Sequence, residues 1–425
     1  MRRRDRIENP SRNVFWVNQY AVPPDQPGGT RHFDMAATLS SQGRRITVIA
    51  SDLNLTSRAY TRRAGPRDRR RIRETIDGVD FVWLPAGSYE RNDWKRALSM
   101  ALFALHVMRF LLQHSRRGDV VIGSTPQLPA AGAARVAAFV RRSHYVLEVR
   151  DLWPETLIEI SGRTSLLSHT LSVFARVLYR TSEAIVVLAE GSRGPIQDQG
   201  GDPSRIYYVP NGVDLAAFSS FDDAALPPDL GWVHHDQVFV YAGAHGPANG
   251  LDLLLDAASE LQRRGRDDLR LLLVGDGPEK RRLLDRCREE RLTNVALHDP
   301  VPKQSIPALL RVAAGGLMIL EDVALFKYGV SPNKLFDYLA ADLPVITNVT
   351  GEVGRIVEES GCGLVIPASK GELLADAMVE VADGMRTFEP GSTYVRANHD
   401  RRELAERLGR VLDSIVRDDR AGSRR

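Results

Sequence analysis

Short apolar runs rich in Val, Ile and Leu recur along the whole sequence, and helical patterns separate them. In the first half the runs are Val14–Asn18, Ile46–Ala50, Val79–Leu84, Asp119–Gly123, Tyr145–Val149, Ala184–Leu188 and Ile206–Val209. The second half has Val238–Ala242, Leu269–Val274, Val295–His298, Gly316–Leu320, Pro344–Thr347 and Gly363–Ile366. Polar and apolar residues alternate little within them, as expected of strands covered by helices on both faces. This repetition predicts parallel sheets in doubly wound α/β domains. A chain of 425 residues exceeds one ordinary core, so two such domains are expected.

The break between them falls after Val209-Pro-Asn-Gly-Val-Asp214. The stretch 215–236 carries Pro227-Pro228 and a short acidic cluster without clear periodicity, which reads as a linker. An N-terminal domain at 1–214 and a second domain at 237–394 follow. The last segment, 395–425, holds a helical pattern over Arg401–Arg417, expected to cross back to the first domain and end in a disordered polar tail. In such sheets ligands bind at the carboxyl ends of the strands. Loops after strands of both domains should therefore meet at a shared cleft.

The segment Tyr328-Gly-Val-Ser-Pro-Asn-Lys-Leu-Phe-Asp-Tyr-Leu-Ala340 reads as a loop entering a helix. Ser331 suits the N-cap and Pro332 the first helical position. Free N–H groups and the helix dipole there favour a phosphate, and Lys334 adds a full positive charge. Asp337 lies four residues after Asn333 and three after Lys334, so the three share a face. Phosphate donors followed by a carboxylate for hydroxyl groups describe a nucleotide-sugar site. Other strand-to-helix loops add to it. Gly28 and Gly29 follow the first strand and allow close backbone approach, but no G-x-G-x-x-G fingerprint is present. Gly243-Ala-His-Gly-Pro-Ala-Asn-Gly250 offers a second phosphate cradle, with His245 and Asn249 as polar side chains. Gly275 and Asp276, in Val274-Gly-Asp-Gly-Pro278, would line the cleft near a nucleotide base.

Taken in order, the Gly-Gly turn, Val-Pro-Asn-Gly-Val-Asp, Tyr-Ala-Gly-x6-Gly-Leu-Asp, Leu-Val-Gly-Asp-Gly-Pro and Ser-Pro-Asn-Lys-Leu-Phe-Asp-Tyr-Leu-Ala resemble the family 4 retaining glycosyltransferases. The resemblance spans roughly residues 13–415 and implies the GT-B fold, two Rossmann-like domains facing a cleft. Asp151-Leu-Trp-Pro-Glu155 and Phe326–Asp337 resemble a narrower bacterial surface-polysaccharide branch that includes the L-fucosamine transferase of O-antigen synthesis. Asp337 then matches the second Glu of the family's E-x7-E motif, which holds the donor ribose. Ser331, Pro332, Asn333 and Lys334 fall at the donor diphosphate, and Gly28 and Gly29 face the phosphates and acceptor. The first Glu of the motif falls at Gly329, so that carboxylate is missing. The family's Arg and Lys after the first strand of the second domain are replaced by Ala244 or His245 and by Asn249. Lys327, Lys334 and Arg150 are candidates for the missing positive charge, which is needed where the diphosphate leaves. Asp151, beside Arg150, should face the acceptor.

The resemblance implies transfer of an N-acetylated or deoxy amino hexose from a nucleotide diphosphate donor, with UDP expected and a GDP sugar open. The acceptor would be a glycan or polyprenyl-diphosphate sugar. A UDP-sugar epimerase of the same fold and a non-catalytic partner subunit are the alternatives. No Asp-x-Asp triplet or His/Cys cluster occurs, so no metal or cofactor is expected.

Two cysteines make no disulfide framework, and no apolar signal core follows the basic N-terminus; a cytoplasmic protein is expected. Net charge is +3, which excludes a global argument for nucleic acid. The arginine run Arg62–Arg73 has little aromatic interleaving for base stacking. It lies near the apolar helical pattern Trp94–Gln113, and a second such pattern covers Leu166–Tyr179. Apolar helices beside arginines suit docking on an anionic membrane surface, and the protein is expected to be peripheral on the inner face of the cytoplasmic membrane.

Overall fold

The computed structural model describes residues 12–54, 59–65, 67–89, 94–155, 158, 166–219, 227–234, 237–323, 326, 329–367 and 370–422. The N-terminal domain runs β1 (Asn13–Val17), α1 (Arg31–Ser41), β2 (Arg45–Ala50), β3 (Ile72–Ile76), β4 (Val79–Trp83), α2 (Trp94–His114), β5 (Val120–Ser124), α3 (Leu128–Arg141), β6 (His144–Val149), α4 (Leu166–Thr181), β7 (Ala184–Val187), α5 (Arg193–Asp198) and β8 (Ile206–Tyr208). After the short helix α6 (Leu215–Ser219), the second domain runs β9 (Gln237–Ala242), α7 (Asp252–Arg263), β10 (Leu269–Val274), α8 (Lys280–Glu289), β11 (Val295–His298), α9 (Ile306–Arg311), β12 (Gly315–Met318), α10 (Asn333–Ala340), β13 (Val345–Thr347), α11 (Glu352–Ser360), β14 (Gly363–Val365), α12 (Gly371–Ala382) and α13 (Gly391–Asn398), and α14 (Arg401–Gly422) follows.

The strands form two sheets, ordered β3-β4-β2-β1-β5-β6-β7-β8 and β11-β10-β9-β12-β13-β14. All neighbours are parallel except β3 and β4. Each expected strand is present within one or two residues at its ends, because a sheet sandwiched by helices needs uninterrupted apolar runs. In β10, Leu271, Leu272 and Leu273 are buried in succession. Helices show the other period: Leu254, Ala257, Ala258 and Leu261 recur along α7 and are all buried.

One strand goes beyond the sequence reading. β3 begins at the end of the arginine run and pairs antiparallel with β4. Its connection is Asp77-Gly78, with φ of 46° and 82°, a left-handed two-residue turn that suits a twisted hairpin. The arginines there are largely held within the domain. Arg63 is buried on Asp52, Arg62 pairs with Glu74, and Arg70 pairs with Asp68. Arg71 and Arg73 lie over the Phe110 ring.

Helices α2, α3 and α4 cover one face of the first sheet, and α1 and α14 cover the other. Leu404, Leu408, Val411 and Leu412 of α14 pack into that second core layer, so the chain returns to its first domain. In the second domain α7 and α12 cover one face and α9, α10, α11 and α13 the other. Within the expected linker, Leu230 and Val233 are buried in the second domain's core. An irregular segment can still carry apolar residues that the adjacent domain buries.

α2 has the length and mean hydropathy of a membrane span, but a third of its apolar window is buried. Phe103, Val107, Phe110 and Leu111 join the core. Its apolar character is therefore partly that of a core helix.

Candidate active site

The carboxyl ends of both sheets face a cleft with a cavity of about 330 Å3. Its wall brings together Gly28 and Gly29 from the loop after β1, Gly243 and Asn249 from the loop after β9, Gly275 after β10, and Pro332, Asn333, Lys334 and Asp337 at the start of α10. These come from distant parts of the sequence. The glycines are required by close approach. A Cβ on Gly29 would lie 2.9 Å from Asn333 Nδ2 across the cleft, and one on Gly275, where φ is +154°, would strike the Gly243 carbonyl.

α10 begins one residue later than the sequence reading places it. Asn333 is its first residue and Pro332, with ψ of 125°, occupies the N-cap. Because Pro332 is itself extended, the helix starts after it and Ser331 lies one residue too early to cap it. The Ser331 hydroxyl instead accepts a hydrogen bond from Asn211 N of the other domain, 3.0 Å away. Leu335 N donates to Pro332 O at 3.2 Å, which leaves the N–H groups of Asn333 and Lys334 at the helix start without a carbonyl one turn back.

Lys334 is the charge in that turn. Its Nζ is buried, makes no hydrogen bond, and sits 3.9 Å from the centroid of the Tyr241 ring. Desolvation lowers its pKa to about 7. Tyr241 is itself fixed, its single hydroxyl proton shared between Asn249 Oδ1 at 2.8 Å and Ala244 O at 2.9 Å. Asn249 thus shapes the pocket by holding the ring under Lys334.

Asp337 is 6% exposed and pairs with Lys303, a cavity residue from the loop after β11. Arg401, at the start of α14, also lines the cavity; it pairs with Asp34 and donates to Asn333 Oδ1 at 3.3 Å. Neither is apparent from the sequence. Lys303 lies outside any helix-start pattern, and Arg401 reaches the cleft only because α14 returns to the first domain. Among the described cavity-lining residues, Lys303 and Arg401 have carboxylate partners and Lys334 has none.

Four expected residues are placed differently. His245 is fully buried and does not line the cavity. Its backbone ties the loop after β9 to that after β10, donating to Asp276 O at 2.8 Å and accepting from Glu279 N at 3.0 Å. Burial, then Lys280, lowers its imidazole pKa to about 4, so the ring is neutral. Asp276 lies outside the cavity wall, its carbonyl used by that bond. Arg150 and Asp151 follow β6 at the cleft end of the sheet but also lie outside the wall. Arg150 N donates to Thr125 Oγ1 at 3.0 Å, and the Asp151 side chain is exposed. Lys327 lies outside the described residues.

A second polar cluster lies beneath the cleft in the first domain. Glu148, 1% exposed at the end of β6, accepts from Arg31 Nε at 2.9 Å, His32 Nε2 at 3.1 Å, Trp16 Nε1 at 3.2 Å and Ser124 Oγ at 2.6 Å. The Arg31 guanidinium also donates to the carbonyls of Val209 and Pro210. Arg31 follows the Gly-Gly turn by two residues, where the sequence shows only a basic helix start.

Comparison with known proteins agrees with this geometry. The chain matches the glycosyl transferase 4-like domain over residues 28–212 and the glycosyl transferases group 1 family over residues 236–384. D-inositol 3-phosphate glycosyltransferase of Kineococcus radiotolerans is 28% identical over 433 residues, covering 97% of this chain and 89% of that protein. Sucrose-phosphate synthase from Thermosynechococcus elongatus superposes with a TM-score of 0.73 at 15% identity, covering 95% of this chain and 99% of that one. Anabaena HepE, solved in complex with UDP and glucose, has a TM-score of 0.66 at 15% identity, covering 95% of this chain and all 100% of that one. The shared architecture is the GT-B fold.

Proposed function

Because the chain belongs to the glycosyl transferases that join a 4-like domain to a group 1 domain, we propose that it moves a sugar from a UDP-linked donor, with retention and without a metal, to a lipid-linked or other glycan. The observation that carries this reading is Lys334. A cleft-lining lysine at a helix start, its Nζ buried and unpaired, lacks only an anion. The donor diphosphate supplies it. Asn333 and the first-turn N–H groups add donors, and Asp337 accepts from the ribose hydroxyls once they draw it from Lys303. Gly28 and Gly29 close over the phosphates. As the sugar–phosphate bond breaks, negative charge grows on the leaving diphosphate, and Lys334 and the helix start stabilise it. The acceptor hydroxyl attacks from the side of the first domain, where Arg150 and Asp151 follow β6. A phosphate oxygen takes its proton.

HepE supports UDP as the nucleotide, since it was solved with UDP and glucose. Asp151-Leu-Trp-Pro-Glu155 supports an N-acetylated or deoxy amino hexose and a place in surface-polysaccharide synthesis. A thermal-shift screen with UDP, GDP, ADP, dTDP and their common sugars tests the pocket. UDP should raise the melting temperature, and one UDP-sugar should raise it further. Asp337→Ala should weaken that binding roughly tenfold or more, as expected for a lost charged hydrogen bond of about 1.5 kcal/mol or above. Unchanged affinity in that variant rules out the ribose role.

We also assign an anionic membrane surface as a partner. Among the described residues, the exposed large apolar side chains other than Met385 are Trp94, Leu98 and Leu105 on α2, Val136, Phe139 and Val140 on α3, and Leu166, Val173 and Val177 on α4. These helices cover one face of one sheet. They carry no Asp or Glu, but they do carry Lys95, Arg96, Arg109, Arg135, Arg141, Arg176 and Arg180. Apolar side chains among cations match an anionic leaflet. Vesicles with anionic lipid should sediment the protein at low salt and release it at high salt. Phe139→Glu with Val177→Glu should abolish sedimentation, and equal binding to neutral vesicles would exclude charge recognition.

A further inference from the structure

The two domains meet along a seam at the carboxyl ends of β7 and β8, and one carboxylate there is partnered from across it. Glu352 opens α11 in the second domain and is 9% exposed. Its Oε1 accepts from the Tyr208 hydroxyl at 2.6 Å and its Oε2 from Glu190 N at 3.0 Å. Both donors belong to the first domain: Tyr208 ends β8, and Glu190 lies just after β7. The nearby Arg355 is turned to Glu359, at 2.7 Å. A carboxylate at the start of its own helix would ordinarily serve that helix. Here its two oxygens face the other domain.

The same short stretch of the first domain receives the loop that leads into the donor helix. A Cβ on Gly329 would lie 2.8 Å from Ala189 Cβ and 3.3 Å from Ser192 Oγ, so this loop lies flat against residues 189–192. A Glu at position 329, as the family motif has it, would not fit in this arrangement. Two residues on, Ser331 is held by Asn211. Glu352 and the 329–331 segment therefore grip neighbouring parts of one surface, and that segment runs directly into Asn333 and Lys334.

We propose that Glu352 is a positioning residue, a latch that holds the second domain closed on residues 189–192 and so sets the Gly329–Lys334 segment in register with the Gly28-Gly29 loop. The kinetic part of this rests on the glycosyl-transfer reading above. The latch itself does not, because its bonds exist within the chain alone.

Amide hydrogen exchange on the full-length chain tests it. Glu352→Ala should raise exchange at the Glu190 amide at least tenfold, with a matching rise over 329–331, while strands β5 and β10 keep their protection. Glu352→Gln, which can still accept from Tyr208, should restore part of it. Tyr208→Phe should produce a smaller rise, and adding it to Glu352→Ala should change nothing more. Unchanged exchange at Glu190 in Glu352→Ala overturns the latch, and a uniform rise across both domains overturns it in favour of general destabilisation. With a donor and acceptor in hand, Glu352→Ala should lower kcat about tenfold and leave the donor KM within twofold. A local rise in exchange with unaltered kcat would overturn the positioning role. Because exchange is read without any sugar, failure of the transfer reading and failure of the latch are separable.

Discussion

Replacing Lys334 with Met should cost the chain most of its affinity for a nucleotide diphosphate while leaving its fold intact. The expected loss is about 100-fold in Kd, or about 2.7 kcal/mol, within the range for removing one member of a buried charge pair. Lys334 lacks a hydrogen-bond partner within the protein. Its Nζ is buried over the Tyr241 ring, whereas Lys303 and Arg401 already face carboxylates. Met keeps the apolar stem against Tyr241 and removes only the charge. No ion pair is broken within the protein, so the melting temperature of the free chain should hold or rise. Isothermal titration with UDP, alongside a melting curve, separates the two effects. A variant that melts normally and binds UDP as tightly as the parent would remove Lys334 from the site.

The same residue makes binding pH-dependent, with a definite sign. Burial lowers the Lys334 pKa to about 7 in the free protein. A bound diphosphate favours the charged form and raises it again. Below pH 7 the lysine is already protonated and binding takes up no proton there. Above pH 7 binding must take up a proton, so affinity should fall by up to about tenfold per pH unit. Lys334→Met should flatten that dependence.

How far the sequence reveals this molecule depends on where the constraint lies. Runs such as Leu269–Val274 and Tyr145–Val149 are readable because a strand covered on both faces has to be apolar throughout. β3 was hidden, since Ile72-Arg-Glu-Thr-Ile76 is an edge strand with exposed charged residues, and only Asp77-Gly78 marks its turn. The glycine-rich loops and Asn333, Lys334 and Asp337 were legible because each follows a strand or opens a helix, where fold topology dictates a ligand site. His245 was misplaced for a related reason. Its loop is correctly located, but a loop's position does not say which side chains turn inward, and this one is packed under Gly275 and Gly277. Lys303 and Arg401 depend on contacts between elements far apart in the chain, which local pattern does not encode. Glu148 looked like part of an ordinary buried strand, and its charge gave the only signal.

Breaking the Glu148 cluster should have the largest effect on stability. Arg31→Met leaves Glu148 buried among Trp16, His32 and Ser124, and burial lowers the pKa of His32, the one titratable side chain still bonded to it. Removing one partner of a buried ion pair costs roughly 3–5 kcal/mol, which corresponds to roughly 10 °C in the melting temperature of a domain of this size. Burial alone would raise the Glu148 pKa, but His32 and Arg31 beside it hold the carboxyl well below its ordinary range. A folded-state pKa below the unfolded value gives stability that is fully present above about pH 4.5 and is lost as pH falls. In Arg31→Met one of the favourable charges is gone and desolvation remains, so the carboxyl pKa should rise and the acid unfolding midpoint should move toward neutrality. Glu148→Gln should destabilise as well, because Arg31 is then the unpaired charge, but without that acid shift. Arg31 also holds the carbonyls of Val209 and Pro210, the residues that lead into Asn211 and its contact with Ser331. Arg31→Met should therefore also lower transfer activity at temperatures where the fold survives. If melting and acid midpoints are both unchanged in Arg31→Met, the cluster does not hold the domain together and the Arg31–Glu148 pair is incidental to its stability.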